Sequence, residues 1–272
     1  MTMFLVVPPA PALSPYVAGY WFVQDLLGVY EGQPIRTSPH PGAVLSFNFG
    51  RPNAMDGGPV VPSASLLGIQ TVARRWRSWA DTYFVMAMLT VRGLVRLFPS
   101  TGPGTSDRLV ELAAVIGSPT VTRAHVDLRA GWDPAVVRAR LDAWLLGRLE
   151  RTRAPAELAR LCLAHQRLQA GDSVQEAAAV AEVSRRQLGR WCRAHLGIGP
   201  KRLMDLERLQ SSVRAAQCGR GDPTQGFSDQ AHQIRTWRRR LGVTPSAYAR
   251  GAPSVLASYF GGSDEDAPMF YL

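Results

Sequence analysis

The sequence predicts an α+β protein of two domains, with a β-rich domain at residues 1–150 and an all-α domain at residues 155–250. Three observations predict this fold class. Short aromatic and β-branched runs separated by Pro-Gly turns fill the first part of the chain, and helical periodicity fills the second. The length of 272 residues is enough for two domains of ordinary size. The β-rich part is expected to be a barrel or sandwich with flanking helices.

The predicted strands of the first domain include residues 17–23, 43–49 and 83–91, which are rich in aromatic and β-branched side chains. Turn sequences at residues 39–42, 56–59 and 101–104 separate them. Helical spacing is predicted over 109–116, and Asp133-Pro134 predicts the start of a longer helix because an N-cap precedes a proline. The arginine-rich segment 149–154 and the following Pro155 give the predicted domain boundary.

Composition and cysteine usage indicate the compartment. The three cysteines, Cys162, Cys192 and Cys218, are widely spaced, which fits neither a disulfide framework nor a zinc site and is typical of a reducing cytoplasm. No run approaches the roughly 20 apolar residues of a membrane span, and Met1 to Pro15 has no basic leader. We therefore expect a cytoplasmic protein with no membrane segment, and a flexible tail at residues 251–272.

The formal net charge of +10 is concentrated in one segment of the chain. Residues 185–250 contain fourteen Arg or Lys against four Asp or Glu, whereas residues 1–150 contain thirteen against ten. A localised basic field attracts polyanions, most often nucleic acid. A solvated basic surface is the alternative interpretation, and charge alone leaves both open.

Two successive capped helices predict a helix-turn-helix. Ser173-x-x-Glu176 and Ser184-x-x-Gln187 are capping boxes, each ahead of a short helix, and Gly197 ends the second helix. At 100° per residue, the second helix has one apolar face, formed by Leu188, Trp191, Cys192, His195 and Leu196. The opposite face carries Arg186, Gly189, Arg190 and Arg193.

An arginine face on such a helix suits the major groove of DNA. Arginine binds guanine O6 and N7 through two hydrogen bonds, and the second helix of a helix-turn-helix presents its N-terminal part to the bases. An amphipathic surface helix with a solvated charged face is the alternative interpretation. The two capping boxes favour the DNA-binding interpretation.

Residues 173–248 also resemble the AraC/XylS family of transcription regulators. The first half of the resemblance is Ser173-Val174-Gln175-Glu176-Ala177-Ala178, Val183-Ser184-x-x-x-Leu188-x-Arg190 and Gly197-x-x-Pro200. The second half is Gly226-Phe227-Ser228-Asp229-Gln230-x-His232-x-x-Arg235-x-Trp237-Arg238 and Gly242-Val243-Thr244-Pro245-x-x-Tyr248. The N-terminal part resembles a domain of unassigned function found upstream of such regulators, at Pro15-Tyr16-Val17, Tyr20-Trp21, Pro41-Gly42, Leu45-x-Phe47 and Gly68-Ile69-Gln70-Thr71.

The resemblance implies two helix-turn-helix units, joined by a linker helix near residues 200–216 and placed in successive major-groove segments. In the first unit it implies base contacts by Arg186, Gly189 and Arg190 and backbone contacts by Ser184 and Arg193. Arg185 and Gln187, at the start of the same helix, complete the predicted DNA-binding residues of that unit. In the second unit it implies outward-facing roles for His232 and Arg235, and phosphate contacts for Arg238, Arg239 and Arg240.

The second unit departs from the family pattern. The segment from Cys218 to Gln225 stands where the family has an alanine-rich helix, and two glycines and a proline make it a poor helix former. Gln233 stands where an aromatic or leucine usually packs, and a buried glutamine without partners would cost about 1–3 kcal/mol. In the first unit, Glu182 replaces a turn glycine and Cys192 replaces an aromatic residue. We therefore expect the second unit to be degenerate and to bind DNA weakly or not at all.

The expected function is sequence-specific DNA binding by a transcription regulator. The alternative is a decayed paralogue that acts through protein–protein interaction. No phosphate loop, nucleophile elbow or paired-carboxylate motif is present, and His40 and His125 are too few for a metal-dependent barrel. No enzyme activity, cofactor or metal is expected.

The expected partners are double-stranded DNA, a small-molecule effector, RNA polymerase and a second copy of the chain. The first domain would serve effector sensing or dimerisation. Trp76 and Trp79 either line a ligand or dimer surface, or one packs in the core while the other is partly exposed, and the second interpretation is the simpler one.

Overall fold

The computed structural model describes residues 2–33, 35–129, 132–218, 222–224, 226–250 and 272. Two antiparallel sheets are formed by strands within residues 2–111, and the second half of the chain is helical. The β-rich and then helical order predicted from the sequence is confirmed. The predicted flexible tail, apart from Leu272, lies outside the described residues.

Two sheets face each other in the β-rich part. The larger sheet has the strand order β1 (Thr2–Val7), β2 (Val17–Asp25), β8 (Thr82–Leu89), β4 (Ala43–Asn48), β6 (Ala64–Leu67) and β9 (Leu109–Glu111). The smaller sheet has the order β3 (Ile35–Thr37), β7 (Arg74–Arg77) and β5 (Ala54–Met55). Since β1 and β9 remain unpaired edges of the larger sheet over the described ranges, the arrangement is an open sandwich and not a closed barrel.

The central strands of the larger sheet, β2, β8, β4 and β6, are buried on both faces. Alternate side chains of β8 point to opposite sides, as the two-residue period of a strand requires. One set packs against helices and the other faces the smaller sheet; the first set is Val85, Ala87 and Leu89, and the second is Phe84, Met86 and Met88. A strand buried on both faces reads as an unbroken apolar run in the sequence, which is why the run could be recognised.

Five helices complete the first half of the described chain: α1 (Val91–Leu97), α2 (Gly102–Thr105), α3 (Ala113–Ile116), α4 (Ser118–Arg129) and α5 (Pro134–Arg151). The predicted N-cap of α5 is confirmed, since Asp133 Oδ1 accepts a hydrogen bond from Ala135 N at 2.8 Å. The predicted helix over 109–116 is partly wrong. Its first three residues form β9 because they pair with β6 at the sheet edge, and only 113–116 are helical.

Six helices lie in the described part of the second half: α6 (Leu158–Gln169), α7 (Val174–Val180), α8 (Arg185–Leu196), α9 (Pro200–Cys218), α10 (Gln230–Leu241) and α11 (Pro245–Arg250). None of the described helices is both long and apolar enough to cross a lipid bilayer.

One buried core continues from the larger sheet into the second half of the chain. It joins side chains such as Leu94 of α1 and Leu141 of α5 to Leu188 and Leu196 of α8. A separate cluster, formed by Leu209, Val213, Trp237 and Leu241, holds α10 against α9. The domain boundary at residues 150–155 stays a prediction, but α8 is packed against both halves of the chain.

Candidate DNA-binding surface

The helix before the turn, α7, begins with the predicted capping box. The Ser173 Oγ accepts from Glu176 N at 3.3 Å, and Ser173 N donates to Glu176 Oε2 at 2.8 Å. These two bonds satisfy backbone donors that the first turn leaves free. They also fix where α7 starts, and Ala177 and Ala178 pack into the core.

The turn between α7 and α8 contains a strained residue. Glu182 has a φ of 54°, in the left-handed region that glycine adopts without a steric cost. The turn is closed by a hydrogen bond from Val183 N to Ala178 O at 3.0 Å. The absence of the usual turn glycine therefore leaves the backbone path intact and adds strain at one residue.

The second helix, α8, has the two faces predicted from the sequence. Ser184 caps its start, because its Oγ accepts from Gln187 N at 3.1 Å, and Gly197 ends it with a φ of 72°. The buried face is formed by Leu188, Cys192, His195 and Leu196, and burial raises the pKa of the Cys192 thiol to about 12. The exposed face carries Arg185, Arg186, Arg190 and Arg193.

These four arginines keep their charge unneutralised. No carboxylate in the described part of the chain lies within 4.0 Å of any of their guanidinium groups. The Arg193 Nη1 donates to Gly189 O at 3.3 Å, so the Arg193 side chain covers Gly189, which is buried. Gln187 is half-buried beside them. The face is a short, basic, unpaired surface on a rigid helix.

The N-terminal half supports the C-terminal end of α8. Ser100 N donates to His195 Nδ1 at 3.3 Å, and His195 Nε2 lies 2.9 Å from Glu157 Oε1. Gly102 of α2 packs directly on the backbone of residues 195–197, where a Cβ at Gly102 would overlap the nitrogen of Gly197. The exposed arginines point away from this contact, so the first half holds α8 without covering its basic face.

The second unit, residues 222–250, places its predicted residues on α10. Asp229 caps the helix by accepting from His232 N at 2.7 Å. His232 is half-buried, with its Nδ1 3.2 Å from Ser228 Oγ and its ring 5.5 Å from that of Phe227. The side chains of Arg235, Arg238 and Arg239 are exposed.

Arg240 does not face outward with its neighbours, and this corrects the prediction that it contacts phosphate. Its Nη1 donates to Thr71 O at 2.9 Å, and its own carbonyl accepts from Ala73 N at 2.7 Å. Burial lowers the pKa of the Arg240 guanidinium. The β-rich half therefore occupies this arginine.

Gln233 is buried, as predicted, but it has partners. Its Nε2 donates to Pro223 O at 2.6 Å and to Ser212 Oγ at 3.2 Å. The same Ser212 Oγ accepts from Trp237 Nε1 at 3.0 Å and donates to Pro223 O at 2.5 Å. We call these four residues the polar clasp. It ties α9 and α10 to the described residues 222–224, which form a turn where the sequence resemblance implies a helix.

The polar clasp and the Thr71 contact were missed from the sequence. Ser212 carried a usable signal, since it lies beside Val213 and three positions after Leu209 on the apolar side of α9. A serine in such a position needs a buried partner. Thr71 carried no such signal, because its partner Arg240 lies 169 positions away in the chain.

No group of three or more His, Cys, Asp or Glu side chains placed to hold a metal ion occurs among the residues that the structure describes. The predicted site residues thus form two basic helix faces, on α8 and α10.

Comparison with known proteins agrees with this geometry. Residues 177–251 match the family model described as "Helix-turn-helix domain". No curated protein matches the chain at a significant level. Among solved structures, the chain is similar to ToxT from Vibrio cholerae, at 9% identity and a TM-score of 0.45, covering 85% of this chain and 96% of that one. It is also similar to unsaturated fatty acid bound wild-type ToxT from Vibrio cholerae strain SCE256, at 10% identity and a TM-score of 0.43, covering 92% and 95%.

These TM-scores are low, so the assignment rests on the family model and on the geometry of α7, α8 and α10. The family model begins inside α7 and spans α8, α9 and α10. Residues 177–251 therefore contain a helix-turn-helix domain, of which α8, α9 and α10 lie in the described part of the chain.

Proposed function

We propose that the protein binds specific duplex DNA sequences and that α8 is the helix that reads them. The observation that carries the proposal is the unpaired arginine face of α8, opposite a face that is fully packed. Because the helix is fixed by its buried side, its exposed side chains would enter a groove without a large ordering cost. Arg186 and Arg190 are the proposed base contacts, whereas Gly189, predicted beside them, is buried under the Arg193 side chain.

The surrounding residues would position the helix on the phosphate backbone. Ser184 and Arg193 are the proposed phosphate contacts of the first unit, and Arg185 and Gln187 lie at the same end of α8. In the second unit, His232 and Arg235 are proposed to face the bases, and Arg238 and Arg239 to face phosphates. Because α10 is capped and its core is satisfied by the polar clasp, the second unit is proposed to take part in binding.

The test separates base contacts from phosphate contacts. A binding site is first selected from random duplexes with the full chain, and gel-shift affinities are then measured on that site and on single-base variants. Arg186→Ala should lose about 1–3 kcal/mol at one base position and relax the preference there. Arg193→Ala should weaken binding to all sequences and make the slope of log affinity against log salt shallower by about 0.9.

Two outcomes would refute the assignment. If Arg186→Ala and Arg193→Ala lower the affinity for every sequence by the same factor, α8 does not read bases. If the wild-type chain shows no salt-dependent duplex binding, the alternative of a decayed paralogue acting through protein contacts replaces the proposal. The exposed and unpaired arginine face favours DNA over that alternative.

A second candidate function is effector binding in the β-rich half. A cavity of about 70 Å³ lies between the two sheets. Its wall is mostly apolar and includes Val44, Phe84, Met86 and Trp76, with the hydroxyls of Ser46 and Ser65 on one side. We propose that it takes an apolar small molecule with one hydrogen-bonding group. Trp76 thus lines a cavity, while Trp79 lies against the Arg51 guanidinium at 4.9 Å.

A protein that regulates transcription by binding promoter DNA would act in the cytoplasm, and we propose that compartment. Contact with RNA polymerase and formation of a homodimer stay predictions from the sequence.

A further inference from the structure

Exposed arginines continue from the end of α10 onto the outer face of the smaller sheet. We propose that this face binds the phosphate backbone of duplex DNA beside the segment that α10 contacts, with Arg75 of β7 as the phosphate ligand. The β-rich half would then take part in DNA binding directly. The inference rests on the proposed DNA-binding function and extends it to a surface outside residues 177–251.

Strand β7 points its arginines away from the cavity between the sheets. Arg75 and Arg77 are exposed, and Trp76, between them, lines the cavity. Successive side chains of a strand point to opposite faces, so both arginines lie on the outer face of the smaller sheet. Arg36 of β3 shares this face, because it stands directly opposite Arg75 in the antiparallel register. The outer face thus carries three guanidinium groups on two strands.

Arg75 is the arginine of this face whose charge is exposed and not neutralised. The Arg77 Nη2 lies 2.7 Å from Asp56 Oδ1, so Arg77 already has an anionic partner. Over the described ranges, no carboxylate lies within 4.0 Å of the Arg75 guanidinium. Its cross-strand neighbour is Arg36, and like charges directly opposite each other destabilise a strand pair. A bound anion would offset that repulsion.

Two hydrogen bonds place this face beside the last turn of α10. Ala73 N donates to Arg240 O at 2.7 Å, and Arg36 Nη2 donates to Leu241 O. Arg75 stands two positions after Ala73, and a strand rises about 3.3 Å per residue, so the two Cα atoms are about 7 Å apart. The outer face of the smaller sheet therefore continues the surface at this end of α10.

The last turn of α10 adds Arg238 and Arg239, which are exposed. We call Arg75, Arg238 and Arg239 the basic row. Within the part of the chain that the structure describes, none of the three has a carboxylate within 4.0 Å. A row of cations on separate elements matches the backbone of a duplex, which carries one charge per roughly 3.4 Å along each strand. Arginine also suits phosphate because its planar group can donate two parallel hydrogen bonds.

Continuity with α10 favours DNA over another polyanion. An acidic protein segment would also be attracted to the basic row. However, Arg238 and Arg239 are already the proposed phosphate contacts of the second unit, and Arg75 extends their line along the same surface. A duplex that lies on α10 would therefore bring a further phosphate to the smaller sheet.

Arg75→Ala in the full chain tests the phosphate contact. On the site selected with the wild-type chain, the slope of log affinity against log salt should become shallower by about 0.9. The ratio of wild-type to variant affinity should then be about 3.5 times larger at 50 mM than at 200 mM salt. The preference among single-base variants of the site should not change, because a phosphate contact carries no sequence information.

Two further variants serve as controls for the charge. Arg75→Lys keeps the positive charge and should keep the wild-type slope. Arg123→Ala removes an exposed arginine from α4, which packs on the helical side of the larger sheet, away from the smaller sheet. This variant loses the same charge and should also keep the wild-type slope.

Shortened duplexes locate the contact. When each flank of the selected site is trimmed in steps of two base pairs, the wild-type chain should lose affinity on one flank before the base-reading positions are reached. Arg75→Ala should show no loss over the same steps, so the affinities of the two chains should converge on the shorter duplex.

Urea denaturation without DNA separates phosphate binding from a structural role. Because Arg75 is exposed and faces Arg36, Arg75→Ala should leave the unfolding midpoint equal to or above that of the wild type. A lower midpoint together with weaker duplex binding would assign Arg75 a structural role and overturn the inference.

The salt slopes also separate this inference from the proposed function. If Arg193→Ala makes the slope shallower but Arg75→Ala does not, the smaller sheet does not contact DNA and the function of α8 stands. Equal changes in Arg75→Ala and Arg123→Ala would show that net charge alone is felt, and would also overturn the inference. Absence of salt-dependent duplex binding by the wild-type chain would instead reject the proposed function itself.

Discussion

Replacing Ser212 by alanine should loosen the second unit without changing the exposed arginines of α10. The Ser212 Oγ is buried and is the acceptor for Trp237 Nε1, which is also fully buried. In Ser212→Ala, Gln233 and Pro223 keep their hydrogen bond to each other at 2.6 Å. The Trp237 N–H is the one group of the polar clasp that loses its partner.

The size of the destabilisation follows from the Trp237 N–H, which is left without an acceptor. A buried polar group left without a partner costs about 1–3 kcal/mol. Alanine has a higher helix propensity than serine, so the substitution stabilises helix α9 by up to about 0.5 kcal/mol. The net loss in the free energy that keeps α10 closed is therefore about 0.5–2.5 kcal/mol, which corresponds to roughly a twofold to seventyfold rise in its opening.

The neighbouring residue supplies a matched control. Ser211 lies on the same helix but is exposed, so Ser211→Ala should gain helix propensity and lose nothing. Amide exchange of residues 230–241 in the full chain measures the opening of α10 in both variants. Equal opening in Ser211→Ala and Ser212→Ala would refute the view that the clasp replaces the missing supporting helix.

Two further variants test the first unit. Gly102→Ala should destabilise the chain by about 1–3 kcal/mol in urea denaturation, because its Cβ would overlap backbone atoms at the end of α8; Gly104→Ala, in the same helix with no atom within 4 Å of its Cβ, is the control and should be near neutral. Glu182→Gly should stabilise the chain by up to about 1 kcal/mol. Left-handed backbone costs a non-glycine residue about 1–2 kcal/mol, and the greater entropy of glycine in the unfolded state offsets part of the gain. Glu182→Ala keeps the strain, and an equal gain in that variant would mean that the carboxylate and not the backbone was responsible.

The local features of the fold were predictable from the sequence because their partners are close in the chain. The caps at Asp133, Ser173 and Ser184 act on residues two or three positions away, and each is found where the pattern places it. The two faces of α8 follow from helical periodicity alone. The sequence predicted that Glu182 replaces the turn glycine of the family pattern. In the structure, Glu182 adopts the positive φ that a glycine would adopt without strain.

Features that depend on distant partners were not predictable. Gln233 was expected to destabilise the second unit as a buried amide without partners. Its amide instead donates hydrogen bonds to Ser212 of the preceding helix and to Pro223 of the turn. Residues 109–111 have helical spacing, yet the free edge of β6 makes them a strand. The hydrogen bond from Arg240 to Thr71 O was not predictable either, because it forms only when the β-rich half packs against α10. The residues proposed to contact DNA stay predictions until the binding experiments are done.

The continuous core that joins α8 to the N-terminal helices has a consequence for how such chains can be recombined. Side chains of α1, including Leu94 and Leu97, belong to the same core as the buried face of α8, including Leu188 and Leu196. A hybrid joined near residue 155 would keep α8 but lose the surface against which α8 packs. The two halves are therefore expected to be inherited together, and a productive exchange between related chains would have to carry residues 91–105 along with α8.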